Sequence, residues 1–209
     1  MAKLYFKFGA MGSSKTAQAL MTKFNYEEKG KRVLLIKPSL DTRDDKTDEN
    51  GRTIAVVQSR IGLFAEAITV SQTDSVTELY ERENAVEPLD VIICDECQFL
   101  TRSQVTELKH LADFNDVPVL CFGLRTDFQT KMFPGSRRLF EIADSITEIK
   151  SICRCGRKAT VNVRFDAEGN IITKGDQVFI GGNDFYEGMC YKCYLKLIEE
   201  NHQDKEFLF

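Results

Sequence analysis

Histidine is scarce in this 209-residue chain, which has only His110 and His202. Neither stands near a plausible nucleophile, and surface positions suit both, so chemistry built on a histidine base finds no support. No run approaches the ~18 apolar residues of a membrane span. The N-terminus lacks the charged segment, apolar stretch and small-residue cleavage site of a secretory signal. Lysine and arginine are scattered, and the formal net charge is −4. With no broad basic face, a nucleic-acid polymer is a poor partner and a small, locally gripped anion a better one. Internal repeats and low-complexity segments are also lacking. The expectation is a cytoplasmic protein without membrane association.

What the chain does have is apolar content, 43% of its residues, enough to bury one α/β domain and a small appendage. Its seven cysteines, without a secretion signal, fit a reducing compartment, where thiols bind metal or pack as small apolar groups. Apolar β-rich runs alternate with helical patterns from the start. Lys3 to Phe8 reads as a buried strand. Lys15 to Glu28 reads as a helix with Ala17, Leu20, Met21 and Phe24 on one face, stopped by Gly30. Strands follow at Arg32 to Lys37, Leu89 to Cys94 and Pro118 to Gly123, with short ones near Thr53 to Val57 and Ala67 to Val70. The polar stretch from Leu40 to Gly51 reads as loop. Helices fall at about Ser75 to Glu83, Ser103 to Phe114 and Leu139 to Ala143, and a last core strand at Ser145 to Ile152. Continuous apolar strands separated by helices predict a parallel sheet covered on both faces, with ligands outside the carboxyl ends of its strands. Residues 1–150 are read as this nucleotide-binding domain. Residues 151–209 change in texture and form a smaller unit, marginal in size without a staple.

Three constellations carry chemistry. The first is Gly9-Ala10-Met11-Gly12-Ser13-Ser14-Lys15-Thr16, placed between a strand and a helix. N–H groups at a helix start, together with a lysine, surround phosphate oxygens. Ser14 stands where the pattern G-x-x-x-x-G-K-[ST] has its second glycine. The plain alternative is a strand-to-helix turn capped by Ser13 or Ser14. Asp95-Glu96 ends the most apolar strand, where one acid would serve Mg²⁺ and the next, pointing the other way, would accept a proton or polarise water; the plain alternative is an acidic strand end in a solvated turn. Finally, Cys153, Cys155, Cys190 and Cys193 form two close pairs that suit tetrahedral Zn²⁺ and would staple the small unit, with four unliganded thiols as the alternative. Cys94, Cys97 and Cys121 are read as core packing residues.

These residues resemble the zinc-containing thymidine kinase family over nearly the whole chain. The resemblance is carried by Gly9 to Thr16, Asp41-Thr42-Arg43, Asp95-Glu96-Cys97-Gln98-Phe99, Gly123-Leu124-Arg125-Thr126-Asp127-Phe128, the four paired cysteines, and Ile180-Gly181-Gly182-Asn183-Asp184-Phe185-Tyr186. It implies a phosphate-loop α/β fold with a C-terminal zinc-binding lasso spanning about Phe165 to Met189. By the same resemblance, Glu96 is the catalytic base, and Gly9, Ala10, Met11, Gly12, Ser13, Ser14, Lys15 and Thr16 bind ATP together with Asp95, Glu96, Cys97 and Gln98. Thr16 and Asp95 serve Mg²⁺. Met11, Phe99, Leu124, Phe128, Phe133, Phe179, Ile180, Gly181, Gly182 and Tyr186 surround the nucleoside, with Asp41 and Arg43 near its 5′ end and Arg164 near the phosphates. The resemblance further implies a homotetramer using ATP, thymidine and Mg²⁺, with thymidine triphosphate as feedback inhibitor. A phosphate-loop ATPase or switch protein without a nucleoside acceptor, and a zinc-ribbon binding module, are the rival readings.

Overall fold

The computed structural model describes residues 1–178 and 186–201. The chain begins with β1 (Leu4–Phe8), α1 (Lys15–Glu27) and β2 (Val33–Pro38). Two short hairpins follow, β3 (Lys46–Thr47) with β4 (Thr53–Ile54) and β5 (Val56–Gln58) with β6 (Phe64–Glu66). Then come β7 (Ile68–Val70), α2 (Val76–Val86), β8 (Val91–Cys94), α3 (Arg102–Phe114), β9 (Val119–Gly123), α4 (Pro134–Ile142) and β10 (Ser145–Glu148). Six of these strands form one parallel sheet in the order β10-β1-β9-β8-β2-β7.

Strand periodicity divides the core in two. Leu34, Ile36, Ile92, Cys94, Val119 and Cys121 point to one face, where α2, α3 and α4 contribute Leu79, Leu108 and Leu139. Leu35, Val91, Ile93, Leu120 and Phe122 point to the other, against Ala19 and Leu20 of α1 and Val57 of β5. Burial on both faces is why the strands read as unbroken apolar runs. The Thr101 side chain accepts from the Gln104 N–H while the Gln104 side chain accepts from the Thr101 N–H, so α3 starts on a reciprocal cap that the apolar pattern alone left a residue too late.

Past the sheet, β11 (Ser151–Ile152) pairs with β12 (Lys158–Ala159), and β13 (Val161–Phe165) lies between β14 (Ile171–Ile172) and β15 (Tyr186–Met189). Helix α5 (Tyr191–Glu200) closes the unit. Its small core of Val161, Val163, Ile171, Met189, Tyr194 and Ile198 also takes in Ala10 of the phosphate loop.

Three local expectations need correction. The strand expected over Ser145 to Ile152 breaks after Glu148, because Ile149 donates its N–H to Phe8 and turns its side chain into the core, sending Ser151 into a different sheet. Helix α4 starts at Pro134 rather than Leu139, since proline in the first turn loses no hydrogen bond there. On α1, Met21 and Phe24 are 51% and 63% exposed, because the inward stripe is set by the smaller Ala17, Ala19 and Leu20.

Candidate active site

Four loops leave the carboxyl ends of β1, β2, β8 and β9 on the same edge of the sheet, and the site is built from them. The first is the phosphate loop. Ser14 adopts φ 61° and ψ 27°, the left-handed conformation usually given to glycine, and its side chain makes no capping hydrogen bond. That removes the reading of the Ser14 side chain as a simple helix cap. The backbone keeps the glycine-type turn despite the Cβ. Lys15 folds back over the loop and donates to the Ala10 carbonyl at 3.0 Å and the Ser13 hydroxyl at 3.4 Å. Burial lowers its pKa, against the opposing pull of Glu96 and Asp95.

After β8, Asp95 and Glu96 diverge because Glu96 also takes a left-handed conformation, φ 50°. Such strain in a residue with a side chain is stored where the surroundings over-determine it, and two neighbours hold its carboxylate here. Arg43 donates to Glu96 Oε1 at 2.7 Å and to Asp41 Oδ1 at 2.6 Å, while Gln98 donates to Glu96 Oε2. Burial works to raise the Glu96 pKa, but the Arg43 and Lys15 charges outweigh it and hold the carboxyl below its ordinary range. Asp95 goes the other way. Burial and the neighbouring Glu96 raise it to about 7, although the Thr16 side chain hydrogen-bonds to it. A buried carboxyl and a hydroxyl at the phosphate loop are the oxygen donor set that suits Mg²⁺ beside phosphates.

Two cavities meet along this edge. A cleft of about 1220 Å³ runs over Gly12 to Ala17, Asp95 and the β5–β6 hairpin. A second cavity, about 530 Å³, is walled by Phe99, Leu124, Phe128, Phe133, Asn162 and Tyr186 among others. Phe99 and Phe133 pack edge to face at 5.6 Å. Met11, Asp41, Arg43 and Glu96 line both spaces. Gln98 lines only the aromatic cavity, and Cys97 is buried in the sheet core, so neither borders the phosphate-loop cleft. Arg164 lies with its guanidinium 5.4 Å from the ring of Phe128, which walls the aromatic cavity. Phe179, Ile180, Gly181 and Gly182 fall outside the described residues.

The small unit presses directly on the phosphate loop. A Cβ at Gly188 would come within 2.5 Å of the Met11 carbonyl, so only glycine allows this approach. Asn162 donates to the Thr126 carbonyl at 2.7 Å and accepts from the Met11 N–H at 2.8 Å. Nearby, the sulfur atoms of Cys153, Cys155, Cys190 and Cys193 all lie within 4.8 Å of one another. Tetrahedral Zn–S bonds of about 2.3 Å require sulfurs roughly 3.8 Å apart, and Cys155 and Cys190 stand at 3.6 Å. Burial opposes ionisation of Cys153, yet backbone N–H groups of Cys155 and Cys190 bring its pKa down to about 7. The tetrad fits zinc.

The family model described as thymidine kinase matches residues 2–194. The chain belongs to the thymidine kinase family. Among named relatives, the thymidine kinase of Photorhabdus laumondii is 42% identical over 99% of this chain and 98% of its own length. That of Rhodopirellula baltica is 40% identical over 98% of this chain and 93% of its own, and that of Novosphingobium aromaticivorans 44% over 91% and 95%. The family assignment brings in an ATP-dependent nucleoside kinase, and the zinc-compatible tetrad accompanies it in this chain.

Several lining residues were not singled out by sequence reasoning. Asn162, Gln177 and Val178 wall the aromatic cavity, and Gln58, Ser59, Arg60 and Ile61 wall the cleft. Asn162 carried one usable signal, a lone amide between Val161 and Val163 in an apolar β-rich run. Arg60, on a hairpin tip, carried none. Among the described residues, no helix is long and apolar enough to cross a membrane.

Proposed function

We propose that the protein transfers the γ-phosphoryl group of ATP to the 5′-hydroxyl of thymidine, giving thymidylate and ADP for nucleotide salvage and DNA precursor synthesis. Deoxyuridine is the nearest alternative acceptor. The observation that carries this reading is the shared wall: Met11, Asp41, Arg43 and Glu96 border both the phosphate-loop cleft and the aromatic cavity.

The base enters the aromatic cavity among Met11, Phe99, Leu124, Phe128, Phe133 and Tyr186, and the family resemblance adds Phe179, Ile180, Gly181 and Gly182 to the residues that bind it. Its 5′ end then points at Asp41, Arg43 and Glu96. The triphosphate lies along Gly9 to Thr16, where Lys15 leaves the Ala10 carbonyl for the terminal phosphates. Glu96 is the catalytic base. It accepts the 5′-hydroxyl proton as that oxygen bonds to phosphorus and the bond from phosphorus to the ADP oxygen breaks. A carboxylate kept ionised by Arg43 and Lys15 is ready for that task near neutral pH. Most of the acceleration comes from holding the two oxygens in line and from Lys15 and Arg43 offsetting charge on the transferring group. Bound Mg²⁺ supplies further neutralisation of phosphate oxygens, and Thr16 and Asp95 are the residues that would hold it. Zinc on Cys153, Cys155, Cys190 and Cys193 supplies a structural cross-link for the small unit.

The assembly is a homotetramer in the cytoplasm, and the exposed Met21 and Phe24 of α1 are apolar surface that another copy would cover. Thymidine triphosphate is an inhibitor because its base suits one cavity while its phosphates reach the adjoining cleft. The test is incubation with labelled thymidine, ATP and Mg²⁺, with deoxycytidine and deoxyadenosine as controls. Thymidylate formed from thymidine alone supports the reading. Equal use of all three, or ATP hydrolysis indifferent to nucleoside, overturns it.

A further inference from the structure

The side chain of Gln98 is fully buried and has two partners of opposite kind. Its Oε1 accepts from the Leu124 N–H at 2.9 Å, and its Nε2 donates to Glu96 Oε2. The first bond decides the second. With the oxygen committed to a backbone donor, only the NH₂ end can face Glu96, and an NH₂ group donates to a carboxylate without competing for its proton. Packing leaves the amide little room to turn, since a Cβ at Gly123 would lie 2.5 Å from its oxygen and 2.7 Å from the Cys97 sulfur. Leu124 lines the aromatic cavity, so one amide spans from the acceptor pocket to the carboxylate beside the phosphate loop.

We infer that Gln98 is a positioning residue that aims the Glu96 carboxylate and locks that aim to the backbone of the nucleoside pocket. This rests on the reading of Glu96 as the base. Arg43 holds Oε1 and Gln98 holds Oε2, so between them both oxygens of the carboxylate have a fixed direction. Groups that act through a catalytic residue lose their effect when that residue is gone, whereas independent contributions multiply.

The experiment is a double-mutant cycle on kcat with Gln98→Met, Glu96→Gln and the pair combined, with zinc content and melting temperature recorded for each. Gln98→Met lowers kcat by about 10-fold or more in the wild-type background, in line with other partners that orient a working group. It leaves the KM for ATP unchanged. On the Glu96→Gln background it changes kcat by less than about 2-fold, because little remains to be aimed. The isosteric Gln98→Glu is the second variant. It keeps an acceptor for the Leu124 N–H but offers Glu96 no NH₂ group, so kcat falls while the KM for thymidine holds.

If Glu96→Gln alone leaves kcat intact, the base reading fails. If that variant is impaired but Gln98→Met multiplies the loss by its full factor, Gln98 acts structurally and the inference fails by itself. Unchanged kcat in Gln98→Glu sinks it too.

Discussion

The Met11 N–H is held at 2.8 Å by the side-chain oxygen of Asn162, so the phosphate loop and the strand beside the zinc-compatible cysteines share one hydrogen bond. The same amide reaches the Thr126 carbonyl, in the loop that follows β9. Three segments far apart in the chain meet on one buried side chain. The phosphate-loop cleft and the aromatic cavity are therefore mechanically joined, although they are lined mostly by different residues.

Asn162→Ala leaves a backbone donor and a buried backbone acceptor without their partner, which costs about 1–3 kcal/mol. The expected result is a lower melting temperature and a rise in KM for ATP and thymidine together. A change confined to one substrate in steady-state kinetics would contradict the joint role.

Glu96→Gln keeps the shape of the side chain and removes its ability to take a proton. Turnover should fall by about 10²-fold or more. Thymidine affinity, read by calorimetry, should stay within a factor of about 3, because the aromatic walls are untouched.

Ser14 tolerates its left-handed backbone, so glycine at that position relieves strain while adding freedom to the unfolded chain. The two effects are of similar size, roughly 0.5–1 kcal/mol each. Ser14→Gly is expected to leave the KM for ATP within about 3-fold of wild type, a shift below ~0.7 kcal/mol. Ser14→Val puts a β-branched side chain into the same conformation and should raise that KM by about 10-fold or more. An equal response to the two substitutions would show that loop shape is not what Ser14 preserves.

Chelation of zinc, or Cys190→Ser, should unfold the small unit and remove its pressure on Met11 through Gly188 and Asn162. Activity is expected to fall in proportion to zinc content measured by elemental analysis. Full activity in zinc-free protein would separate the tetrad from the site.

Asp144 gives a pH-dependent test away from the chemistry. Its carboxylate accepts from the Leu4 N–H at 2.8 Å and from Lys109. The Lys109 hydrogen bond, with the Leu4 N–H, holds its pKa below the usual value. A depressed carboxylate adds stability above its unfolded pKa, and that stability is lost as pH falls through the ordinary aspartate range and below. Thermal melts should show Asp144→Asn less stable than wild type at neutral pH, with the gap closing toward pH 3. A gap independent of pH would rule out the ionic origin.

Much of the fold was legible in the sequence because it depends on local periodicity. Leu34 to Ile36, Val91 to Cys94 and Val119 to Gly123 announce buried parallel strands. The phosphate loop, Asp95-Glu96 and the four cysteines announce themselves because their chemistry is packed into a few consecutive residues. Met21 and Phe24 misled, since helical spacing groups apolar residues without saying which side meets the sheet. The break after Glu148 was hidden because Ile149 and Ile152 both look like strand residues, and only pairing partners separate them.

The amino-acid sequence by itself determined the layered α/β core, the phosphate grip and the thiol set, each a property of short segments. Tertiary structure decided which residues face one another. Arg43 meets Glu96, and Asn162 meets Met11, only because parallel strands bring their carboxyl ends to one edge and the small unit folds back onto it. The left-handed conformation of Ser14 belongs here too, since a serine that reads as a flawed glycine in the chain is a glycine-type turn in space. The physical reason is that a hydrogen bond depends on direction and distance, which residues far apart in sequence acquire only when the fold closes.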